Sequence, residues 1–168
     1  WRQTLSAAAD LGPEHISMYC LTLESGTPMS QWVESGRLPE PDPDLAADMY
    51  LAAEDNLRNA GYRHYEISNW AQPGKESRHN LTYWRNQPYL GVGPGAHSYL
   101  ADHRFSNLKS PREYIAGLDI DLDDASPNVA LDAATIKSVP VVETVEIIDL
   151  RLEMAETMMM GLRLDTGI

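Results

Sequence analysis

The chain has 168 residues, 43% of them apolar, and a formal charge of −12. That apolar content excludes wholesale disorder and suits one domain, or one and part of another, while the acidic balance argues against nucleic acid or an anionic membrane as a general partner. The one cysteine, Cys20, excludes an internal disulfide framework and fits a reducing cytosol, and no signal peptide or membrane-length apolar run is present, so a cytoplasmic location is expected.

The chain opens without Met, inside a helical pattern formed by Trp1, Leu5, Ala8, Ala9 and Leu11, and so reads as a fragment. Gly12-Pro13 stops that helix. Residues 15–23 read as a strand apolar on both sides, with Thr22 at its carboxyl end and Cys20 as a buried apolar filler. A short helix follows, with Met29, Trp32 and Val33 on one face and Gly36 after it. Asp42 is a natural N-cap for a long helix with Pro43 in its first turn, a face of Leu45, Met49, Ala53 and Leu57, and Gly61 at its end. Residues 62–69 read as the next strand, so the order β-α-β predicts parallel neighbours joined by a crossover.

Residues 70–88 read as a loop holding one helical turn near Leu81–Arg85, and residues 89–99 as a third strand interrupted by glycines. A short strand at 103–107 and a short helix at 111–118 follow. Residues 119–145 read as an acidic linker or irregular segment, and residues 146–162 as a helix whose Met158–Met160 run is core. The three segments expected are thus 1–118, 119–145 and 146–168. Parallel α/β units with polar residues at strand ends suit a barrel or a doubly wound sheet, and this length holds only part of a barrel.

Chemistry-bearing residues concentrate between Tyr65 and Ser98. His79, Asn80, Tyr83 and Trp84 form the densest group. His79 offers an imidazole nitrogen to a metal or haem iron, and the two aromatic rings offer flat faces to a macrocycle. The competing structural reading has Asn80 capping a short helix and the aromatics closing a barrel end, and spacing alone favours it. The run from Gly91 to His97 lacks the lysine and hydroxyl of a phosphate loop. It suits either close backbone approach to a bulky cofactor or a tight corner. Glu66, on a mostly buried strand, must find a partner or line a polar cavity.

Five patterns occur in one order: HISxYxLTLExGTP, LPxPDxDLAADMY, AGYxxYEISNWAxPG, RHNxxYW and YLGxGxGAHS. Together they resemble the oxygen-independent coproporphyrinogen III oxidase-like family of radical S-adenosylmethionine (SAM) proteins, over residues 1–118 and again over 151–168. The resemblance implies an α/β fold: the second half of a partial (β/α)6 radical SAM barrel, plus the start of a helical C-terminal region. Two branches exist within the family. The HNxxYW pattern at His79, Asn80, Tyr83 and Trp84 is similar to that of the haem chaperone branch, with His79 as the implied iron ligand. The alternative is the coproporphyrinogen III dehydrogenase of haem biosynthesis, whose Asp-His pair is replaced here by Ser68-Asn69.

By position the resemblance also implies SAM contacts at Thr22 and His97, through backbone rather than side-chain chemistry. The family holds its [4Fe-4S] cluster through a CxxxCxxC motif, which this chain lacks. No catalytic residue is therefore assigned, and the fragment alone is expected to be inactive in radical chemistry and to self-associate. Haem or a porphyrin is the expected ligand, and haem-accepting proteins are the implied partners.

Overall fold

An extended residue, Asp42, starts the longest helix, Pro43–Asn59. Its carboxylate accepts from the N–H of Asp44 at 2.9 Å and of Leu45 at 3.2 Å, and Pro43 sits where no N–H is needed. At the far end Gly61 adopts φ +88°, which lets the Tyr62 N–H reach back to the Leu57 carbonyl at 2.9 Å. The local chemistry places both ends as expected.

The structure, a computed structural model, describes residues 1–119 and 130–168. The described chain divides into two units, residues 1–77 with 164–166 and residues 78–163 with 167–168. The first unit contains α1 (Arg2–Asp10), β1 (His15–Ser17), α2 (Pro28–Glu34), α3 (Pro43–Asn59), β2 (Arg63–Glu66) and β3 (Asn69–Ala71). Its core gathers Leu5, Ala53, Leu57, Tyr62 and Trp70, with Ala9, Ile16 and Met18 packed against it. The α3 face expected from the sequence therefore supplies Ala53 and Leu57, whereas Leu45 stays exposed.

The pairing in this unit corrects one expectation. The strands at β1 and β2 run in the same direction but are not neighbours, because β3 lies between them and is antiparallel to both. Residues 62–69 are not one strand; the chain reverses at Ile67-Ser68. The Glu66 carboxylate makes that reversal: its Oε1 accepts from the Ser68 N–H at 3.0 Å and from the Asn69 side-chain amide. Strand β1 is likewise shorter than residues 15–23. Met18 N–H still donates to the Ser68 carbonyl at 2.8 Å, but β3 begins at Asn69 and offers nothing further along. Cys20 lies past that point and is exposed, not buried.

The second unit contains α4 (Arg78–Trp84), β4 (His97–Leu100), β5 (His103–Asn107), α5 (Pro111–Gly117), α6 (Ala133–Ser138), β6 (Val142–Ile147) and α7 (Leu150–Gly161). The three strands form an antiparallel meander in the order β4-β5-β6. Ala101 and Asp102 join β4 to β5 with φ +49° and +59°, the positive pair that a tight two-residue hairpin requires. Tyr99, Ile136, Val141 and Ile148 are buried together with Ser98, Ser106 and Asn107.

Residues 133–138 and 142–147 are helix and strand, which corrects the expectation of an irregular segment there. Residues 120–129, the acidic part of that segment, lie outside the described residues. The helix expected at 146–162 starts at Leu150, capped by Asp149, whose Oδ1 accepts from Leu152 N–H at 2.8 Å. Residues ahead of it are held in β6 by pairing with β5. Met158 and Met159 are 54% and 61% exposed and so are not core. Of residues 89–99, only 97–99 are strand, which runs on to Leu100; Tyr89 joins it through an isolated bridge to Tyr99.

Candidate functional site

The expected single helical turn near 81–85 is a longer helix, α4, which begins at Arg78. Asn80 therefore sits inside the first turn and is not the cap. The HNxxYW spacing puts His79 above Tyr83 and Asn80 above Trp84, because residues four apart share a helix side. The His79 and Tyr83 rings meet edge to face, with centroids 4.8 Å apart and planes at 88°. Tyr83 in turn meets Tyr89 at 4.6 Å and 78°. His79 is exposed, and Trp84 is half-buried beneath the Arg163 guanidinium, 4.3 Å from its ring.

Helix α4 ends on Asn86, a non-glycine residue at φ +48°. The Gln87 N–H bonds the Thr82 carbonyl and the Asn86 N–H bonds the Tyr83 carbonyl, both at 2.9 Å, which is the paired C-terminal closure of a Schellman turn. Tyr89 is fixed by two backbone bonds to Tyr99, of 2.8 and 2.9 Å. Below them Arg104 forks onto Glu156 at 2.6 and 2.7 Å and lies 5.6 Å from the Tyr99 ring. Hydrogen bonds from Arg104 hold the Glu156 carboxyl below its usual range despite burial, and the same bonds raise the Arg104 guanidinium. Burial raises the Tyr89 and Tyr99 hydroxyls.

In the glycine-rich turn the amides are already engaged. Gly91 N–H donates to Ser98 Oγ at 2.9 Å, Gly93 N–H to Tyr114 Oη at 3.2 Å, and Gly95 N–H to the Leu108 carbonyl at 2.9 Å. Asn107 Nδ2 donates to the Gly93 carbonyl at 3.0 Å. A Cβ on Gly91 would stand 2.1 Å from the His97 carbonyl oxygen, so glycine is required there for backbone to pass backbone. These bonds favour a tight corner over an anion cradle. His97, at the start of β4, is exposed.

In the first unit, Thr22 is exposed in a stretch without regular structure, past the end of β1. Glu66 is 1% exposed and finds its partners locally; Asn69, which donates to it, also accepts from Ser17 Oγ at 2.5 Å. His15 Nε2 and the Tyr65 hydroxyl lie 2.8 Å apart, and burial lowers the His15 imidazole below its ordinary value, with Glu66 opposing. An apolar cavity of about 310 Å³ opens between residues 18–21 and α3, lined by Met18, Tyr19, Leu21, Leu45 and Met49.

One polar group escaped the sequence reading. His64 stacks on Trp70 at 4.4 Å and 14°, with Nε2 3.1 Å from the Tyr50 hydroxyl and Nδ1 3.5 Å from Glu54. Trp70 Nε1 donates to the same Glu54 carboxylate at 2.8 Å. Burial alone would raise Glu54, but the bonds from Trp70 and Arg58 outweigh it and hold the carboxyl low. Nothing in the spacing of residues 50, 54, 64 and 70 signals this group, since α3 and the hairpin bring it together.

No protein-family model matches the chain. It is 36% identical over all 168 residues to the heme chaperone HemW of Synechocystis, of which it covers 37%. It is 42% identical over 112 residues to the heme chaperone HemW of Mycobacterium tuberculosis, using 67% of this chain and 29% of that protein. A mouse protein called radical S-adenosyl methionine domain-containing protein 1, mitochondrial, is 52% identical over 97 residues, 58% of this chain and 22% of that one. Among solved structures, the coproporphyrinogen III oxidase (HemN) of Escherichia coli, described as a radical SAM enzyme, matches with a TM-score of 0.66 at 15% identity. That likeness in fold covers 98% of this chain and 36% of the oxidase. The chain thus spans roughly a third of the length of these relatives.

Proposed function

The chain belongs to the oxygen-independent coproporphyrinogen III oxidase-like radical SAM family, on the side of its heme chaperones, and from that premise we propose that the protein binds haem through α4 with His79 as the iron ligand. The observation that carries this is the exposure of His79 on a helix that groups all four HNxxYW residues. Bound haem iron supplies a coordination position that an imidazole nitrogen fills. The chain supplies the rest. The edge-to-face contact with Tyr83 restricts rotation of the His79 ring, Tyr83 adds apolar area on the same side of the helix, and Asn80 adds a side-chain amide beside the ligand. Haem-accepting proteins are the partners in this reading.

SAM and a [4Fe-4S] cluster belong to the same reading of the wider protein. Cys20 is the one thiol of the chain, and the described residues contain no group of three His, Cys, Asp or Glu placed to hold a metal, so these residues do not fit the cluster. Thr22 and His97 are the positions offered to SAM, and both are exposed. No described helix is long and apolar enough to cross a membrane. Exposed Tyr19, Leu21 and Leu45, around the apolar cavity, favour self-association. Conversion of coproporphyrinogen III by the intact protein would move the assignment to the dehydrogenase alternative.

The test is haem titration of the intact protein followed by its Soret band. His79→Ala should weaken the band strongly, and changes at Tyr83 or Trp84 should weaken it less, because stacking contributes less than an iron–nitrogen bond. His97→Ala and His103→Ala are the controls. Loss of the band in either of these, with His79→Ala unchanged, would reassign the ligand and leave HNxxYW a structural motif.

A further inference from the structure

Helix α4 has seven residues and none of them is buried. A helix of under two turns is not stable in water by itself, so its position depends on what holds it from outside. Its packing partner is α7. At the end of α4 a side-chain hydrogen bond reaches α7: Asn86 Nδ2 donates to Thr157 Oγ1 at 3.1 Å. Asn86 is the residue that closes α4, at φ +48°.

That conformation is one glycine adopts at less cost than asparagine. A glycine would close the helix equally well but would leave Thr157 without this bond. Asn86 thus combines two tasks: its backbone ends the helix, and its side chain ties that end to α7. The stacking of Arg163 on Trp84 lies at the same end of α4. His79 sits two turns away near the other end, so rotation or sliding of α4 at Asn86 moves the imidazole directly.

We propose that the Asn86–Thr157 hydrogen bond positions the haem-binding helix on α7, making Asn86 and Thr157 positioning residues for His79 although both lie outside the HNxxYW motif. The proposal rests on the haem reading of His79. It also predicts a property of the haem-free protein: fraying of α4 should be limited by a side chain 71 residues further along the chain.

Three substitutions separate the tie from the turn. Asn86→Gly keeps the positive φ and removes the tie. Thr157→Val keeps the shape of the side chain and removes the acceptor. Thr157→Ser keeps the hydroxyl. In haem titrations of the intact protein, Asn86→Gly and Thr157→Val should each weaken binding about fivefold, the worth of one net hydrogen bond, and shift the Soret maximum. The double variant should be no weaker than either single one, and Thr157→Ser should behave as wild type. Hydrogen exchange without haem should show the Arg85 and Gln87 amides exchanging faster in Thr157→Val, with the unfolding midpoint lowered by no more than the worth of one net hydrogen bond.

Wild-type haem affinity and spectra in both Asn86→Gly and Thr157→Val, while His79→Ala loses the band, would overturn the positioning role. If His79→Ala itself binds haem normally, the haem reading fails, and the exchange experiment decides the tie alone. Faster exchange at Arg85 and Gln87 then supports it, and unchanged exchange overturns it.

Discussion

His64 and His79 have similar neighbours and opposite fates. Each lies against an aromatic ring, His64 stacked on Trp70 at 4.4 Å and His79 edge-on to Tyr83 at 4.8 Å. His64 has both ring nitrogens occupied, one near the Tyr50 hydroxyl and one near Glu54. Its ring covers a tryptophan that is 1% exposed and central to the core of its unit. His79 stands on a helix with no buried residue. A histidine whose nitrogens are engaged within the fold is a structural part, whereas among the described residues the ring of His79 meets the edge of Tyr83 on an exposed helix, the setting on which the proposed haem ligation rests. Density of His, Tyr and Trp in the sequence does not separate the two cases.

The largest effect that would test this contrast is on the hairpin. Trp70→Ala should cost about 3–5 kcal/mol in urea unfolding, the range for truncating a buried large aromatic, since it removes the core contact, the stacking surface for His64 and the donor to Glu54 together. A loss under about 1 kcal/mol would mean that Trp70 behaves as a surface ring and not as part of the core.

Next comes the carboxylate. Glu54 is held low in the folded state, so the unfolded chain takes up its proton first as pH falls. Its contribution is fully present above the unfolded value of about 4.3 and is lost as pH drops through the lower folded value. Glu54→Gln should flatten the decline of stability on acidification below about pH 4.3 and reduce stability at pH 7. Identical pH profiles for wild type and variant would show that the His64 group does not depend on the charge.

The smallest effect is expected at the proposed ligand. His79→Ala should change unfolding free energy by no more than about 0.5 kcal/mol, as for an exposed residue, even where it abolishes the Soret band. A cost above about 2 kcal/mol would place His79 in the same structural class as His64.

What depends on neighbours a few residues apart was legible from residue order. The Asp42 cap, Pro43 and Gly61 set both ends of α3 through bonds spanning at most five residues. The four-residue spacing of His79 with Tyr83, and of Asn80 with Trp84, was enough to group them once a helix formed, and the five motifs were enough to find the family. Which strands pair depends on packing between distant segments. Insertion of β3 beside β1 couples His15 to Ala71, and the strand at 142–147 exists because β5 offers it a ladder. The run VETVEI does carry β-branched residues, but their pattern alone did not outweigh the helix that follows. The His64 group and the Asn86–Thr157 tie belong to the same class. They join side chains 6 to 71 residues apart, as from His64 to Trp70 or from Asn86 to Thr157, and such contacts have no local signal because packing brings the partners together only after the elements have formed.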